Sequence, residues 1–242
     1  MATKSKKRSA PRVARGAQRT AARRAMIDPE GSSQQSLMRQ AYDALKLAII
    51  TLEYRPGAVL VESRIREKIP YGRTPVHEAV ARLALEGMLD IMPRKGIVVR
   101  PLSLDEALSN IEARLIVEPA CARLAAERAT ADDVAEISAI LARAKPMLAR
   151  RDIQGLMLND RAYHNAIARA ARNPALENIL QRLHERSLRF WFISLSDTHH
   201  LMQVDQEHRE ILDGLTRHDG AAVERAVRAH IESFRDTIKQ TI

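Results

Sequence analysis

Aromatic side chains make up only 3% of the 242 residues, and glycine occurs nine times. With so few turn and strand formers, and with abundant Ala, Leu, Ile, Arg and Glu, the composition favours helices over a sandwich or barrel. Cys121 is the single cysteine, which excludes an intrachain disulfide and fits a reducing cytoplasm. No apolar run reaches the roughly 18 residues that a membrane-spanning helix needs. Acidic residues are missing altogether before Asp28, where Lys4, Lys6, Lys7, Arg8, Arg12, Arg15, Arg19, Arg23 and Arg24 stand. The 39 basic residues less these nine leave 30, equal to the 30 acidic ones, so the N-terminal segment carries the whole formal charge of +9. Such a segment buries too little apolar surface to fold alone. Two readings stay open: an arm on DNA phosphates, whose neutralisation releases counterions, or a solvated tail. No apolar stretch follows the charges, which argues against a secretory signal, although organellar transit peptides share the composition.

The length allows one large domain or two modest ones, each with its own core. Helical periodicity begins near Ser36, where Leu37, Ala41, Leu45, Ala48, Ile49 and Leu52 form one apolar stripe up to about Tyr54. Arg55-Pro56-Gly57 stops that helix. A short helix over about 61–69 turns Ile65 and Ile69 inward and breaks at Pro70-Tyr71-Gly72. A third starts near Thr74, a good N-cap, with Pro75 at the first helical position, Glu78 in the first turn near the positive helix end, and apolar Val76, Val80, Leu83 and Leu85. Strand signals over 89–92 and 97–99 flank the basic turn Pro93-Arg94-Lys95-Gly96. Three short helices and a hairpin make a winged helix-turn-helix. Beyond Pro101-Leu102-Ser103, helices are expected at about 104–128, 131–150, 153–171, 175–196, 203–217 and 220–240, with Pro146 kinking or ending the second. The fold class is thus mainly α: an N-terminal winged helix-turn-helix joined to an all-helical C-terminal bundle. The expected division is a basic arm over 1–33, a DNA-binding domain over 34–102 and a helical domain over 103–242.

A helix-turn-helix sets the N-terminal residues of its second helix against base edges in the major groove. Here those residues are Arg73, Thr74, Pro75 and His77. Arg73 has the fork to read guanine or clamp phosphate. Thr74 can donate to phosphate, and Arg94, Lys95 and Gly96 form a wing tip able to reach phosphate or a minor groove. The stretch Arg73-Thr74-Pro75-Val76-His77-Glu78-Ala79-Val80, then Leu83, Glu86-Gly87-Met88-Leu89 and Arg94-Lys95-Gly96, resembles the GntR family of bacterial regulators over about residues 36–102. That family's order is S-R-T-P-V-R-E-A-L, an E-G-L segment and a basic turn with glycine. The resemblance implies a homodimer on a short palindromic operator in double-stranded DNA. Gly72 departs from the usual Ser or Thr, Pro70 from Gly, Arg66 from a small residue and His77 from Arg. The last trades a permanent fork for a group that titrates near neutrality, so the operator sequence does not transfer.

Asp160 and His164 are four residues apart and share a helix face. His208 and His230 fall on two later helices, and a bundle can project such groups into one cavity. One carboxylate with three imidazoles suits a first-row divalent ion: zinc, with nickel or manganese as alternatives. Spacing alone leaves open that these are locally paired core or surface histidines. Asp160-Arg161-Ala162-Tyr163-His164, then Asn173-Pro174, Glu207-His208 and His230-Ile231, resemble the FCD ligand-binding domain of the FadR subfamily over about residues 104–240. Its pattern is D-x-x-F-H, an Asn after the helix, E-H and a final H, with Tyr163 standing here for Phe. The resemblance implies that Asp160, His164, His208 and His230 hold the metal. Arg114 and Glu118 also match its first helix. They read either as an ion pair on an exposed face or with Arg114 turned inward to bind an effector carboxylate bidentately. Phe190-Trp191-Phe192 reads as core or dimer packing, Met147, Met157 and Met202 as core filler, and His184, His199, His200 and His218 match no pattern.

The expected function is a cytoplasmic, sequence-specific transcriptional regulator, a repressor, controlled by a small organic acid at the metal site. An enzyme would need an open site, a general base and a cleft, and no nucleophile motif is present. A direct metal sensor and a purely structural metal are the remaining readings.

Overall fold

The computed structural model describes Met1, residues 29–194 and residues 198–241, with side chains placed over 36–193 and 201–240. Residues 2–28, which hold the charges of the basic arm, and the side chains of His199 and His200 lie outside the described residues. In the N-terminal unit, α1 (Pro29–Ile50), β1 (Val59–Leu60), α2 (Glu62–Lys68), α3 (Arg73–Leu85), β2 (Leu89–Met92) and β3 (Gly96–Val99) follow in order. Spacing by fours puts Ala41, Leu45 and Ile49 on one face of α1, where they meet Ile65 of α2 and Val76, Val80 and Leu83 of α3 in a buried core. Three expectations need correction. The first helix begins at Pro29 and ends at Ile50, because Leu52 turns to a φ of 59° and Tyr54 N–H donates to the Ala48 carbonyl at 3.1 Å. Gly72, not Thr74, caps α3, with no side-chain bond, and Pro75 falls within the first turn, where a missing donor leaves nothing unpaired. Glu78 thus lies beyond that turn, and Leu85 is 90% exposed.

The sheet runs β1-β3-β2, antiparallel throughout, with Val59 opposite Val98 and Ile91 opposite Ile97. Two residues cannot show alternation, so β1 has no signature in sequence. At the wing tip Pro93 precedes Arg94 at a φ of 66°, the order of a type II turn, closed by Lys95 N–H on the Met92 carbonyl at 3.2 Å.

The C-terminal unit holds α4 (Leu104–Arg128), α5 (Ala131–Ala142), α6 (Ala144–Arg150), α7 (Ile153–Ala170), α8 (Pro174–Ser194), α9 (Thr198–Thr216) and α10 (Gly220–Thr241). Ser103 caps α4, Thr130 and Asp133 form a capping box on α5, and Asp152 caps α7. Asn173 Oδ1 accepts from Ala175 and Leu176 N–H, both at 3.2 Å, and so starts α8. The expected second helix is split at Arg143, three residues before Pro146, which cannot donate and disfavours helical geometry before it. Ala122, Ala125 and Ala126 of α4 are small enough to admit Val223, Val227 and Ile231 of α10 into the same buried core. Met157 is buried there, whereas Met202 is 69% exposed and fills no core. Phe190 and Trp191 are buried and Phe192 packs against them. Cys121 is enclosed too, and burial, then Glu118, pushes its thiol up to about 11.

Gly96 closes the wing at a φ of 94°, and a Cβ there would lie 2.8 Å from the Leu60 carbonyl oxygen. Gly96→Ala is expected to cost about 1–3 kcal/mol through strain and this clash. Thermal unfolding of the two proteins measures it.

Candidate DNA-reading face and metal centre

The start of α3 and the wing tip both face solvent. Arg73, Thr74, Arg94 and Lys95 are exposed, Gly96 is half-buried, and Pro75 is buried beneath its own helix turn. His77 is exposed and lies 2.8 Å from Glu62 of α2 through Nδ1. All of the expected reading residues except Pro75 therefore reach solvent, Gly96 in part, and His77 is held by its neighbour rather than free. At the other end of α3, Arg82 lies 3.8 Å from the centre of the Tyr42 ring and 3.2 Å from Glu86.

In the bundle, α7, α9 and α10 bring the four expected metal ligands together. His208 Nε2 and His164 Nε2 lie 3.4 and 3.7 Å from Asp160 Oδ1. Ring centres of His164, His208 and His230 are 4.8–5.2 Å apart, and one ligand nitrogen from each falls within 4.8 Å of the others. Asp160 Oδ1 and His208 Nε2 are buried with no hydrogen-bond partner. Buried polar atoms are almost always satisfied, so this pair, facing each other, fits a divalent ion shared between them. Burial, then His230 and His164, keeps His208 far below its usual range, hence neutral, with a lone pair to give.

Outer partners fix the rings. Glu207 Oε2 lies 2.7 Å from His230 Nδ1, and Glu118 Oε1 lies 3.1 Å from His164 Nδ1. Glu207 can hold the proton on His230 Nδ1 and present Nε2 to the centre, while Glu118 Oε1, which makes no hydrogen bond, faces the outer nitrogen of His164 as a charge. Tyr163 donates to the His208 carbonyl at 2.7 Å, tying α7 to α9. Burial opposes charge on His164, but Asp160 and then Glu118 outweigh it and raise its pKa.

Arg114 is buried, not exposed. Its Nε donates to Glu118 Oε2 at 2.8 Å and its Nη1 to Ser187 at 3.3 Å. The two sequence readings thus merge into an inward ion pair. Burial works to protonate Glu118, yet Arg114, His184 and His164 hold it well below the usual carboxylate range. A narrow pocket beside the centre is lined by Arg114, Arg161, His184, Ser187, Trp191 and Glu207, among others. His184 matched no pattern, yet its Nε2 lies 3.0 Å from Glu118 Oε1, out of line for a hydrogen bond. Burial lowers its pKa. Only its tertiary position reveals it. Glu207, which the sequence pattern marked only as the neighbour of His208, meets the outer nitrogen of His230. His218 lies apart, 2.8 Å from the Ala126 carbonyl.

A winged helix-turn-helix with an exposed reading face, joined to a helical bundle around a polar cavity, defines a DNA-binding transcriptional regulator. The chain belongs to the gntR family of bacterial regulatory proteins, whose pattern matches residues 37–99, with an FCD domain matching residues 110–233. Its relatives are regulators, not enzymes. It is 23% identical to the HTH-type transcriptional repressor RspR of Escherichia coli over 214 residues, 88% of this chain and 94% of that one. It is 29% identical to the galactonate operon transcriptional repressor of E. coli over 79% of this chain and 92% of that one. An HTH-type regulator of Agrobacterium vitis is 35% identical over 54% of this chain and 78% of its own. Among solved structures, E. coli McbR/YncC has the same fold, with a TM-score of 0.76 at 20% identity over 84% of this chain and 97% of that one. A GntR regulator from Rhodococcus sp. RHA1 gives 0.71 at 20% identity over 86% and 99%. FCD domains often bind metal. No helix among the described residues is long and apolar enough to cross a membrane.

Glu207→Gln keeps the shape beside His230 but removes the charge. It should weaken binding of an added divalent metal ion by about 10–100-fold, read by competition with a chromophoric chelator.

Proposed function

We propose that this regulator is a homodimeric repressor of a palindromic operator, relieved or engaged by a small organic acid bound beside a divalent ion in the C-terminal bundle. The observation that carries this reading is Arg114: a buried guanidinium that lines the same pocket as Asp160, His164 and His230. A carboxylate entering there meets a cation fork on one side and the ion on the other, the two groups that bind it most strongly. Two relatives are named repressors, and one of them by a sugar-acid operon, which supports both the sign of regulation and an acid as the signal. The ligands are Asp160, His164, His208 and His230, and their nitrogen-rich set favours zinc, with nickel or manganese able to replace it.

DNA is read by Arg73, Thr74 and His77, with Pro75 fixing the helix start and Arg94, Lys95 and Gly96 forming the wing contact. In this reading residues 34–102 are the reader, 103–242 the sensor, and the basic arm ahead of α1 adds phosphate contacts. Ile116, 71% exposed on α4, supports pairing of two sensor domains along that helix. Effector binding changes the spacing of the two recognition helices, and a coupling of about 1–3 kcal/mol alters operator affinity about 5–150-fold.

A thermal-shift panel of small carboxylates, run with zinc and after chelation, tests the sensor. An acid that raises the melting temperature only of the zinc-loaded protein is the expected outcome; acids that act equally on the chelated protein sink the metal-assisted reading. For the reader, Arg73→Ala should weaken binding to a selected duplex by about 1–3 kcal/mol and relax preference at one base position. Affinity should also fall by about three to five decades between 50 and 200 mM salt if about 6–10 phosphates are contacted. Fluorescence anisotropy over a salt series measures both.

A further inference from the structure

Among the described residues, Lys46, Arg114, Glu118, Glu185 and Arg189 are buried charged side chains other than histidine. Arg114 and Glu118 belong to the cavity. Arg189 clamps the Arg100 carbonyl at 2.6 Å. Lys46 and Glu185 remain, and they pair with each other across the boundary between the two units, through Nζ and Oε2.

The pair stands in the middle of a longer chain of contacts. Toward the cavity, the other oxygen of Glu185 pairs with Arg161 Nη2. Arg161 lines the pocket and directly follows Asp160, while Glu185 directly follows His184, another pocket residue. Toward the DNA, Lys46 Nζ donates to Glu86 Oε2 at 3.1 Å and to Tyr42 Oη at 2.8 Å. The Tyr42 hydroxyl lies 2.7 and 2.8 Å from the two Glu86 oxygens. Glu86 is the C-cap residue of α3 and holds Arg82 of that helix. From the pocket to the recognition helix the signs alternate without a break: Arg161, Glu185, Lys46, Glu86, Arg82. Burial opposes the charge on Lys46, but Glu185 outweighs it and raises the pKa, so the central link stays ionised.

We propose that Lys46 and Glu185 are the positioning residues through which occupancy of the sensor cavity sets the recognition helix. This rests on the proposed function above, and it names the route by which that site acts. An anion in the pocket competes with Glu185 for Arg161. Glu185 then turns its charge to Lys46, and Lys46 gives up part of its hold on Glu86 and Tyr42. The C-terminal end of α3 loosens. An ion held at Asp160 acts on the same route by changing the field at the adjoining guanidinium. Other contacts across the boundary lack this link to the pocket: Arg100 pairs with Glu106 at 2.7 Å, but on an exposed face, and neither residue lines the pocket beside the ion. Ile50 packs into the sensor core, and an apolar contact has no charge to redistribute. Arg189 meets a neutral carbonyl and lines no part of the pocket beside the ion. The burial itself argues for a positional role: a buried ion pair gives little net stability over apolar residues of equal volume, yet low dielectric makes it sensitive to a neighbouring charge.

Lys46→Met tests this without stranding a charge, since Glu185 keeps Arg161 and Glu86 keeps Arg82 and Tyr42. Amide hydrogen exchange on the full chain, chelated and then loaded with zinc alone, supplies the readout. In the unaltered protein, zinc should slow exchange in α7, α9 and α10 and change the opening equilibrium of α3 by about 5-fold or more, the low end of allosteric coupling. Lys46→Met should keep the first response and lose the second, and Lys46→Arg should restore it. An α3 response that survives in Lys46→Met overturns the route, as does one that Lys46→Arg fails to restore. Protection of α7, α9 and α10 with no response in α3 of the unaltered protein overturns the route while the metal reading stands. No protection of α7, α9 and α10 defeats the metal reading itself, and the route with it.

Discussion

Placing a carboxylate inside a protein costs several kcal/mol unless cations and donors surround it. Glu118 is 4% exposed in the middle of the helical bundle, and much of the sensor domain is arranged around that cost. Its two oxygens bring together Arg114 from its own helix, His164 from α7 and His184 from α8. Each of these does something else at the same time. Arg114 faces the pocket, His164 turns its second nitrogen to Asp160, and His184 completes the wall between them. Losing Glu118 would leave one buried guanidinium unpaired and one ligand ring without an orienting partner. Metal affinity, pocket shape and bundle stability therefore share a single dependency.

The reading domain solves a different problem with different means. Its core is almost wholly aliphatic and formed by three helices and the underside of a small sheet. That rigidity is what gives exposed Arg73 and Thr74 a fixed bearing. The two domains meet through an ionic contact as well as an apolar one. The two cores are therefore linked by charge as well as by apolar packing.

Much of this was legible in the sequence because it is local. The turn at Pro70-Tyr71-Gly72, the basic wing and the four ligand positions are patterns of neighbouring residues, and helix periodicity supplied the framework. The start of α3 was misplaced by reading Thr74 as a cap, since glycine at the cap leaves no side-chain signal. Strand β1 is too short to have a pattern. The inward turn of Arg114 was undecided because an i, i+4 pair looks the same on an exposed face and a buried one. His184, Glu207 and Lys46 owe their surroundings to residues 23 to 139 positions away in sequence. Such pairings are set by how whole helices pack, and nothing within a window of one helix encodes them.

Cys121 sits behind Glu118, against the same His164 and His184. Burial, with the charge of Glu118 added, raises the pKa of this thiol and keeps it protonated beside the histidine cluster. Soft cations such as copper(I) choose thiolates, whereas imidazole and carboxylate suit borderline and harder ions. A metal held in this bundle would therefore meet nitrogen and oxygen rather than sulfur.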